Sequence, residues 1–360
     1  MLVRLKHVDR MRAIAILCMV EVHTAAIIPP RGITVGHPAA FVAAAFGGMA
    51  APMFVTISGW GMYRSSMRRS GAGYSASDWI NWIAPRVALL TLCQILVNLL
   101  LNVERGGRFE WHTPGVLTLL AISAMLAPLL VRMGIKSRVA IAMILAAMPL
   151  LLGSHSGPEL GWFERVDAHS YQDWLQRLLL NGTYPALPWL FFVVLGTLLH
   201  DMRDSPDSRE LVIAVGLGFA TLTAIAAAMG GQAWALTSGD AILTFFPASS
   251  PFLLVSGCLV MLLMRLLEGE EGSSGEPTLG NRLSFLEPAG RLSLTIYVAH
   301  FAVLGAAAML LDGPRLDVIP AFAVTLGHTF IWIPIASVME KRAPNTSLEK
   351  LLRMMDQSGR

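Results

Sequence analysis

The chain has 360 residues, a mean hydropathy of +0.59 and only 14% charged residues. A water-soluble domain with this composition would expose more apolar surface than it could hide, so the composition indicates an integral membrane protein. The formal net charge of +3, spread over short clusters of Lys and Arg, argues against a nucleic-acid-binding protein. The three cysteines (Cys18, Cys93 and Cys258) occupy separate apolar segments without a CxxC or Cys/His pattern, which implies neither a disulfide framework nor a metal site.

Long apolar segments recur along the chain, many of them near the ~20 residues that cross ~30 Å of hydrocarbon. A transmembrane β-barrel would alternate apolar and polar residues, so these segments predict an all-α, polytopic helical bundle. Hydropathy and turn residues place about ten spans. They are expected at Ala13–Pro29, Ala39–Tyr63, Ile80–Leu101, Thr113–Val131, Val139–Leu152, Pro185–Leu199, Leu211–Met229, Ala241–Met264, Leu292–Leu311 and Val318–Met339.

Basic residues are concentrated in alternate connections between these spans, which places those connections and both termini in the cytoplasm by the positive-inside rule. The basic start of the chain followed by an apolar segment resembles a signal peptide, but no clear cleavage site follows, so we expect a retained first span. A Gly-, Ser- and Glu-rich stretch predicts a mobile cytoplasmic linker at about residues 268–282. The sequence therefore predicts one transmembrane domain over residues 1–360, in the cytoplasmic (plasma) membrane.

Ionisable residues within spans are costly to bury, which makes each of them a functional candidate. Arg12 and His23 are eleven positions apart, close to three helical turns, so they lie on nearly the same helix face ~17 Å apart. This arrangement suits a donor whose anionic head is held by Arg12 while its reactive end reaches a general base at His23. Alternatively, Arg12 only follows the positive-inside rule and His23 bonds a neighbouring helix.

The other ionisable residues within spans are Glu21, Arg86, His300 and His328. Glu21 is two positions from His23 and points away from it, so a partner elsewhere is expected, and Arg86 is the natural one. That pair could equally be structural and hold two helices in register. Tyr297 and His300 are about one helical turn apart and can face one cavity together, although an interhelical hydrogen bond is the more common role.

Several motifs occur in an order that resembles the membrane acyltransferase superfamily. Asp9-x-x-Arg12 leads into the first span, which His23 nearly closes. The later segments resemble most closely the heparan-α-glucosaminide N-acetyltransferase-like group, and the chain also resembles the integral-membrane sugar O-acyltransferases. The matching segments are Pro52-Met53-Phe54 with Ser58-Gly59, Ala84-Pro85-Arg86, Tyr184 to Trp189 with Gly196, Phe246 to Leu254, and Gly290-Arg291 with Tyr297 and His300.

The resemblance implies transfer of an acyl group, commonly acetyl, from cytoplasmic acyl-CoA to a sugar amine or hydroxyl. His23 matches the first-span His of the O-acyltransferases, whereas His37 lies near the catalytic His of the glucosaminide group, so both are candidate bases. Arg86 is a candidate oxyanion donor, and Arg64, Arg68 and Arg69 could bind the CoA phosphates or serve topology alone. Ala13 replaces the Gly that usually follows the motif Arg, and Ala248 replaces a second Pro.

The sequence thus predicts a membrane acyltransferase that uses acyl-CoA without a metal ion. Its candidate substrate-side or cavity residues are Asp9, Trp189, Tyr297 and His300. Expected partners are membrane lipids and a glycan or glycolipid acceptor, and the chain could form a homodimer. The alternatives are a secondary transporter, against which the lack of internal symmetry argues, and a membrane scaffold without catalysis.

Overall fold

The computed structural model describes residues 5–33, 38–268, 279–311 and 316–358, with side chains given for all of these except residues 38–45 and 356–358. Seven helices of this described part are long and apolar enough to cross a bilayer. This confirms the prediction of an all-α, polytopic membrane protein. The number of about ten spans and the cytoplasmic position of both termini stay predictions.

The described chain contains fifteen α-helices and two short strands, together with four short 3₁₀ helices and one π turn. The helices are α1 (Lys6–Ile27), α2 (Pro38–Gly71), α3 (Ala76–Leu100), α4 (Val116–Arg132), α5 (Ile135–Leu152), α6 (Trp162–Val166), α7 (Tyr171–Gln176), α8 (Ala186–Asp201), α9 (Pro206–Gly230), α10 (Ser250–Glu268), α11 (Leu279–Arg282), α12 (Glu287–Arg291), α13 (Ser293–Leu310), α14 (Val318–Arg342) and α15 (Leu348–Ser358). The strands are β1 (Ala233–Leu236) and β2 (Ala241–Thr244), paired with Ala233 beside Ala241.

The chain divides into two compact units, which are described separately. The first unit comprises Met1–Phe54, Glu104–Gly107 and Val260–Ser358, and the second comprises Val55–Val103, Arg108–Leu259 and Gly359–Arg360. The single domain over residues 1–360 stays a prediction. Residues 269–278 of the predicted linker lie outside the described residues, and the linker's last residues form the short helix α11.

In the first unit, α1 packs against α12, α13 and α14. The approach of α12 to α1 is close because Gly290 has no side chain: a Cβ at this position would lie 1.7 Å from the carbonyl oxygen of Asp9. Just beyond the other end of α1, the N–H of Arg31 donates to the carbonyl of Leu316, which precedes α14, at 2.9 Å. Helix α1 is therefore held near both of its ends, which fixes the position of the side chains along it.

In the second unit, the C-terminal half of α2 packs directly on α8. A Cβ at Gly59 would lie 2.6 Å from the carbonyl oxygen of Val193, and one at Gly196 would lie 2.2 Å from that of Thr56. Small residues permit such backbone contact between membrane helices, where packing rather than the hydrophobic effect drives association. The glycines of two sequence motifs thus have a packing role.

The predicted span Ala241–Met264 was wrong at its start, because α10 begins only at Ser250. Residues 241–244 pair with β1 instead, and the hydroxyl of Ser249 accepts the N–H of Phe252 at 3.2 Å. Pro247 has no N–H to donate to a helix, and a serine before the first turn is a favourable helix cap. A prediction from hydropathy alone takes no account of the proline or of the serine cap.

The segment between α6 and α8 is regular only in part. Helix α7 ends at Gln176, and residues Arg177–Asn181 follow as one wide turn. The buried Arg165 supports this segment by donating to the carbonyl of Asn181 at 3.0 Å and to that of Gly157. Burial, with the cation of Arg177 as a smaller contribution, lowers the pKa of Arg165 to about 10.

Candidate active site

Two histidines from different helices form a direct pair in the first unit. Nδ1 of His23 on α1 lies 2.9 Å from Nε2 of His300 on α13, and the two rings are nearly parallel, at 4°. His300 is completely buried, whereas His23 is half-buried. The structure thus brings together two histidines that the sequence placed in separate spans.

The hydrogen-bond partners of this pair determine where the protons are. Nδ1 of His300 lies 3.0 Å from the carbonyl oxygen of Ile296, which can only accept, so Nδ1 of His300 carries the proton. The unprotonated Nε2 of His300 then accepts from Nδ1 of His23. In the neutral pair, His23 is therefore protonated on Nδ1 and has its basic lone pair on Nε2.

Aromatic side chains enclose the pair. The ring of Phe301 lies 4.7 Å from that of His23 and 4.2 Å from that of His300, measured between centroids. Tyr297 packs edge-on against His300 at 5.6 Å and stacks with Phe54 at 6.1 Å. Tyr297 and His300 are thus in ring contact, in surroundings of low polarity that strengthen the hydrogen bond of the histidine pair, and their place in a shared cavity stays a prediction.

A third imidazole is anchored beside the pair. The hydroxyl of Thr24 donates to the carbonyl of Val20 at 2.6 Å and lies 2.8 Å from Nδ1 of His328 on α14, so His328 donates to it. Nε2 of His328 and Oε2 of Glu21 are both buried without a hydrogen-bond partner among the described residues. No group of three or more His, Cys, Asp or Glu side chains in the described chain is placed to bind a metal ion.

Four charged side chains connect α1, α12 and α14 in the same unit. Arg10 donates through Nη2 to Glu287 at 2.8 Å, and Arg291 donates to Glu340 at 2.5 Å. Arg291 also lies 3.5 Å from Glu287, which links the two pairs. Arg10, at a variable position of Asp9-x-x-Arg12, is thus the buried arginine at the start of α1, while Arg12 is half-buried.

We expect Glu287→Gln to lower the free energy of unfolding by about 2–3 kcal/mol, because it removes the carboxylate that pairs with the buried guanidinium of Arg10. Arg10 is only 1% exposed, so water cannot replace the carboxylate. Thermal unfolding in detergent measures the change, and Glu159→Gln at an exposed position is the matched control. Equal stability of the two variants would show that the Arg10 pair contributes nothing.

In the second unit, Arg69 and Arg86 share one indole. Their guanidinium carbons lie 4.5 and 4.4 Å from the ring of Trp82, and Arg86 also donates to the carbonyl of Trp82 at 2.8 Å. The sequence suggested phosphate binding for Arg69 and oxyanion stabilisation for Arg86, and it did not predict that both contact Trp82. Glu21 belongs to the first unit, so its pairing with Arg86 stays a prediction.

The remaining predicted phosphate ligands lie near the end of α2. Arg64 stacks over Trp60 at 5.4 Å and lies in the field of two further cations, Arg68 and Arg203. Arg203, which follows α8 in the sequence, therefore joins Arg64 and Arg68. A cluster of neighbouring cations attracts an anionic ligand.

Trp189 on α8 is completely buried in an aromatic cluster of the second unit. Its ring lies 5.0 Å from Tyr184, 5.1 Å from Phe245 and 5.2 Å from Phe192. The surroundings of Trp189 in this structure are those of a core residue. His37, the alternative base, lies outside the described residues.

Local sequence patterns did not predict two of the partners described above, Glu287 and Thr24, and they marked His328 as a candidate without indicating its partner. Glu287 carries a signal, because it precedes the Gly-Arg motif by one helical turn, and Thr24 and His328 are polar residues within spans. Their partners are 277 and 304 positions away along the chain, a distance that no local pattern bridges.

Two comparisons with known proteins bear on this site. No curated protein sequence matches the chain. The sequence profile of the acyltransferase domain matches residues 5–338, which includes α1 with His23, α13 with His300 and almost all of α14. The chain therefore belongs to the acyltransferase-domain family of integral membrane proteins.

Proposed function

We propose that this protein transfers an acyl group, most simply acetyl, from cytoplasmic acyl-CoA to an amine or hydroxyl of a glycan or glycolipid in the plasma membrane. Membership of the acyltransferase family supports the reaction class. The observation that carries the assignment of the base is the contact of 2.9 Å between His23 and His300. This contact leaves the basic lone pair of His23 on Nε2, as proton abstraction requires.

In the proposed reaction, Nε2 of His23 takes the proton of the acceptor hydroxyl or amine as its oxygen or nitrogen attacks the thioester carbonyl carbon. The resulting imidazolium donates from Nδ1 to His300, and this hydrogen bond becomes stronger because its donor is charged. Collapse of the tetrahedral intermediate breaks the carbon–sulfur bond, and the thiolate receives the proton from His23. The products are the acylated acceptor and free CoA, and His23 returns to its initial state.

Arginines have two parts in this proposal. Arg86 stabilises the oxyanion of the intermediate, with Glu21 as an anchor for it. Arg12, Arg64, Arg68 and Arg69 hold the phosphates of CoA, and the proximity of Arg203 to Arg64 supports this role for the end of α2. His37 remains the alternative base.

The test is acyl-CoA turnover by purified protein in lipid nanodiscs. Acetyl-CoA is supplied with glucosamine, which offers an amine, or with methyl glucoside, which offers hydroxyls only. Release of free thiol and mass spectrometry of the acceptor together report the reaction and separate N-transfer from O-transfer. Absence of turnover with acetyl-CoA and with longer acyl-CoA donors would contradict the proposal and favour the transporter or the scaffold.

We expect Arg64→Gln and Arg68→Gln each to raise the KM for acetyl-CoA about tenfold, because each removes a charge-assisted hydrogen bond to phosphate. The loss should be smaller at high ionic strength, where salt already screens the wild-type attraction. Lys136→Gln, an exposed change of the same charge, is the control. An unchanged KM in both arginine variants would contradict the proposal that CoA binds at the end of α2.

A further inference from the structure

The C-terminal helix α15 supplies the cap for the helix that carries His300. Leu292, which precedes α13, offers no side-chain cap. Instead, Oε1 of Glu349 accepts the N–H groups of Leu294 at 2.6 Å and Thr295 at 3.1 Å, and Oε2 accepts the hydroxyl of Thr295 at 2.7 Å. The hydroxyl of Thr295 in turn accepts the N–H of Leu348 at 3.0 Å, which completes the connection.

This contact gives the N–H groups in the first turn of α13 a charged hydrogen-bond acceptor. The first N–H groups of a helix have no partner within the helix, and the positive end of the helix dipole lies there. A carboxylate is therefore the most favourable cap, and Glu349 reaches it from a separate helix 54 positions along the chain from Thr295. The match to the family ends at residue 338, so α15 lies beyond the part of the chain that defines the acyltransferase domain.

The capped turn leads directly to the histidine pair. Ile296 follows Thr295, and its N–H donates to the carbonyl of Leu292 at 2.8 Å, which closes the turn. The carbonyl of Ile296 accepts the Nδ1–H of His300 at 3.0 Å. Because that bond selects the tautomer of His300, and His300 selects the tautomer of His23, the orientation of one carbonyl in the capped region controls the base.

We propose that Glu349 is a positioning residue for the acyl-transfer base. By capping α13, its carboxylate holds the Ile296 carbonyl in the orientation that keeps the proton of His300 on Nδ1. Loss of the cap frays the turn, frees the carbonyl and lets the histidine pair occupy mixed tautomers. The consequence for catalysis rests on the proposed function, whereas the consequence for the tautomers does not.

The first readout is the protonation pattern of the histidines, independent of any reaction. Protein labelled with ¹⁵N-histidine is measured by solid-state NMR in lipid, and His300→Gln identifies the signals of the pair by difference. Wild type is expected to show the Nδ1–H tautomer at His300, and Glu349→Ala is expected to show a mixture. Arg353→Ala, on an exposed face of the same helix, should leave the spectrum unchanged.

The second readout is a split between kcat and KM. Glu349→Ala is expected to lower kcat for acetyl transfer about tenfold while the KM for acetyl-CoA stays the same, because the donor site is untouched. Glu349→Gln keeps an acceptor oxygen without the charge, so its kcat should fall about threefold, between wild type and the alanine variant. A role in stability alone would lower the amount of folded enzyme without changing the tautomers.

Two outcomes overturn the proposal: an unchanged histidine spectrum in folded Glu349→Ala, or a normal kcat per folded molecule. Folded protein is quantified by size-exclusion chromatography, and if Glu349→Ala fails to fold, Glu349→Gln carries both readouts. Should wild type transfer no acyl group, the proposed function fails, and the spectra still decide whether Glu349 controls the pair.

Discussion

Replacing His23 by glutamine is expected to lower kcat for acetyl transfer by about 10²–10⁴-fold, the usual contribution of a general base. Glutamine is polar and of similar length but cannot take a proton, so the acceptor would attack the thioester without deprotonation. The KM for acetyl-CoA should change little, because the base contacts the acceptor. Initial rates of thiol release with glucosamine, over a range of acetyl-CoA concentrations, measure both quantities.

Three further histidine variants make this result specific. His169→Gln changes a side chain that is 89% exposed, and its activity should equal that of wild type. His37→Gln separates the two candidate bases, because the variant with the larger loss names the base. His300→Gln removes the partner but leaves Nε2 of His23 in place, so we expect an intermediate loss of about tenfold. A His23 variant with wild-type kcat would end the proposed mechanism.

Replacing Gly290 by alanine is expected to lower the free energy of unfolding by about 4 kcal/mol, the range of severe core substitutions. The added Cβ would lie 1.7 Å from the carbonyl oxygen of Asp9 and 3.1 Å from the backbone nitrogen of Ala13. These are backbone atoms of a helix and cannot rotate away, so α12 must move off α1. That movement would also separate Arg10 from Glu287.

Gly327→Ala is the matched control for Gly290→Ala. A Cβ at Gly327 meets nothing within 4 Å, so alanine there should leave stability equal or raise it by about 0.5–1 kcal/mol through its better helix propensity. Thermal unfolding in detergent and the fraction of monodisperse protein compare the two variants. Similar behaviour of both would show that the contact at Gly290 is not tight in solution.

The sequence determined the class of fold, because the length and apolarity of a membrane span are local properties of the chain. It also determined the spacing of Arg12 and His23, since α1 is continuous from Lys6 to Ile27. The start of α10 was mispredicted for a reason of the same kind: apolar residues in 241–249 raise the hydropathy whether they form a helix or a strand.

Only the tertiary structure decided which polar side chains meet. His23 and His300 are 277 positions apart, and the choice of Arg10 over Arg12 as the buried arginine depends on where Glu287 lies. The cap from Glu349 likewise depends on the position of a helix beyond the family match. Periodicity tells which face of a helix a residue occupies, but the neighbour of that face is set by packing between helices that are distant in sequence.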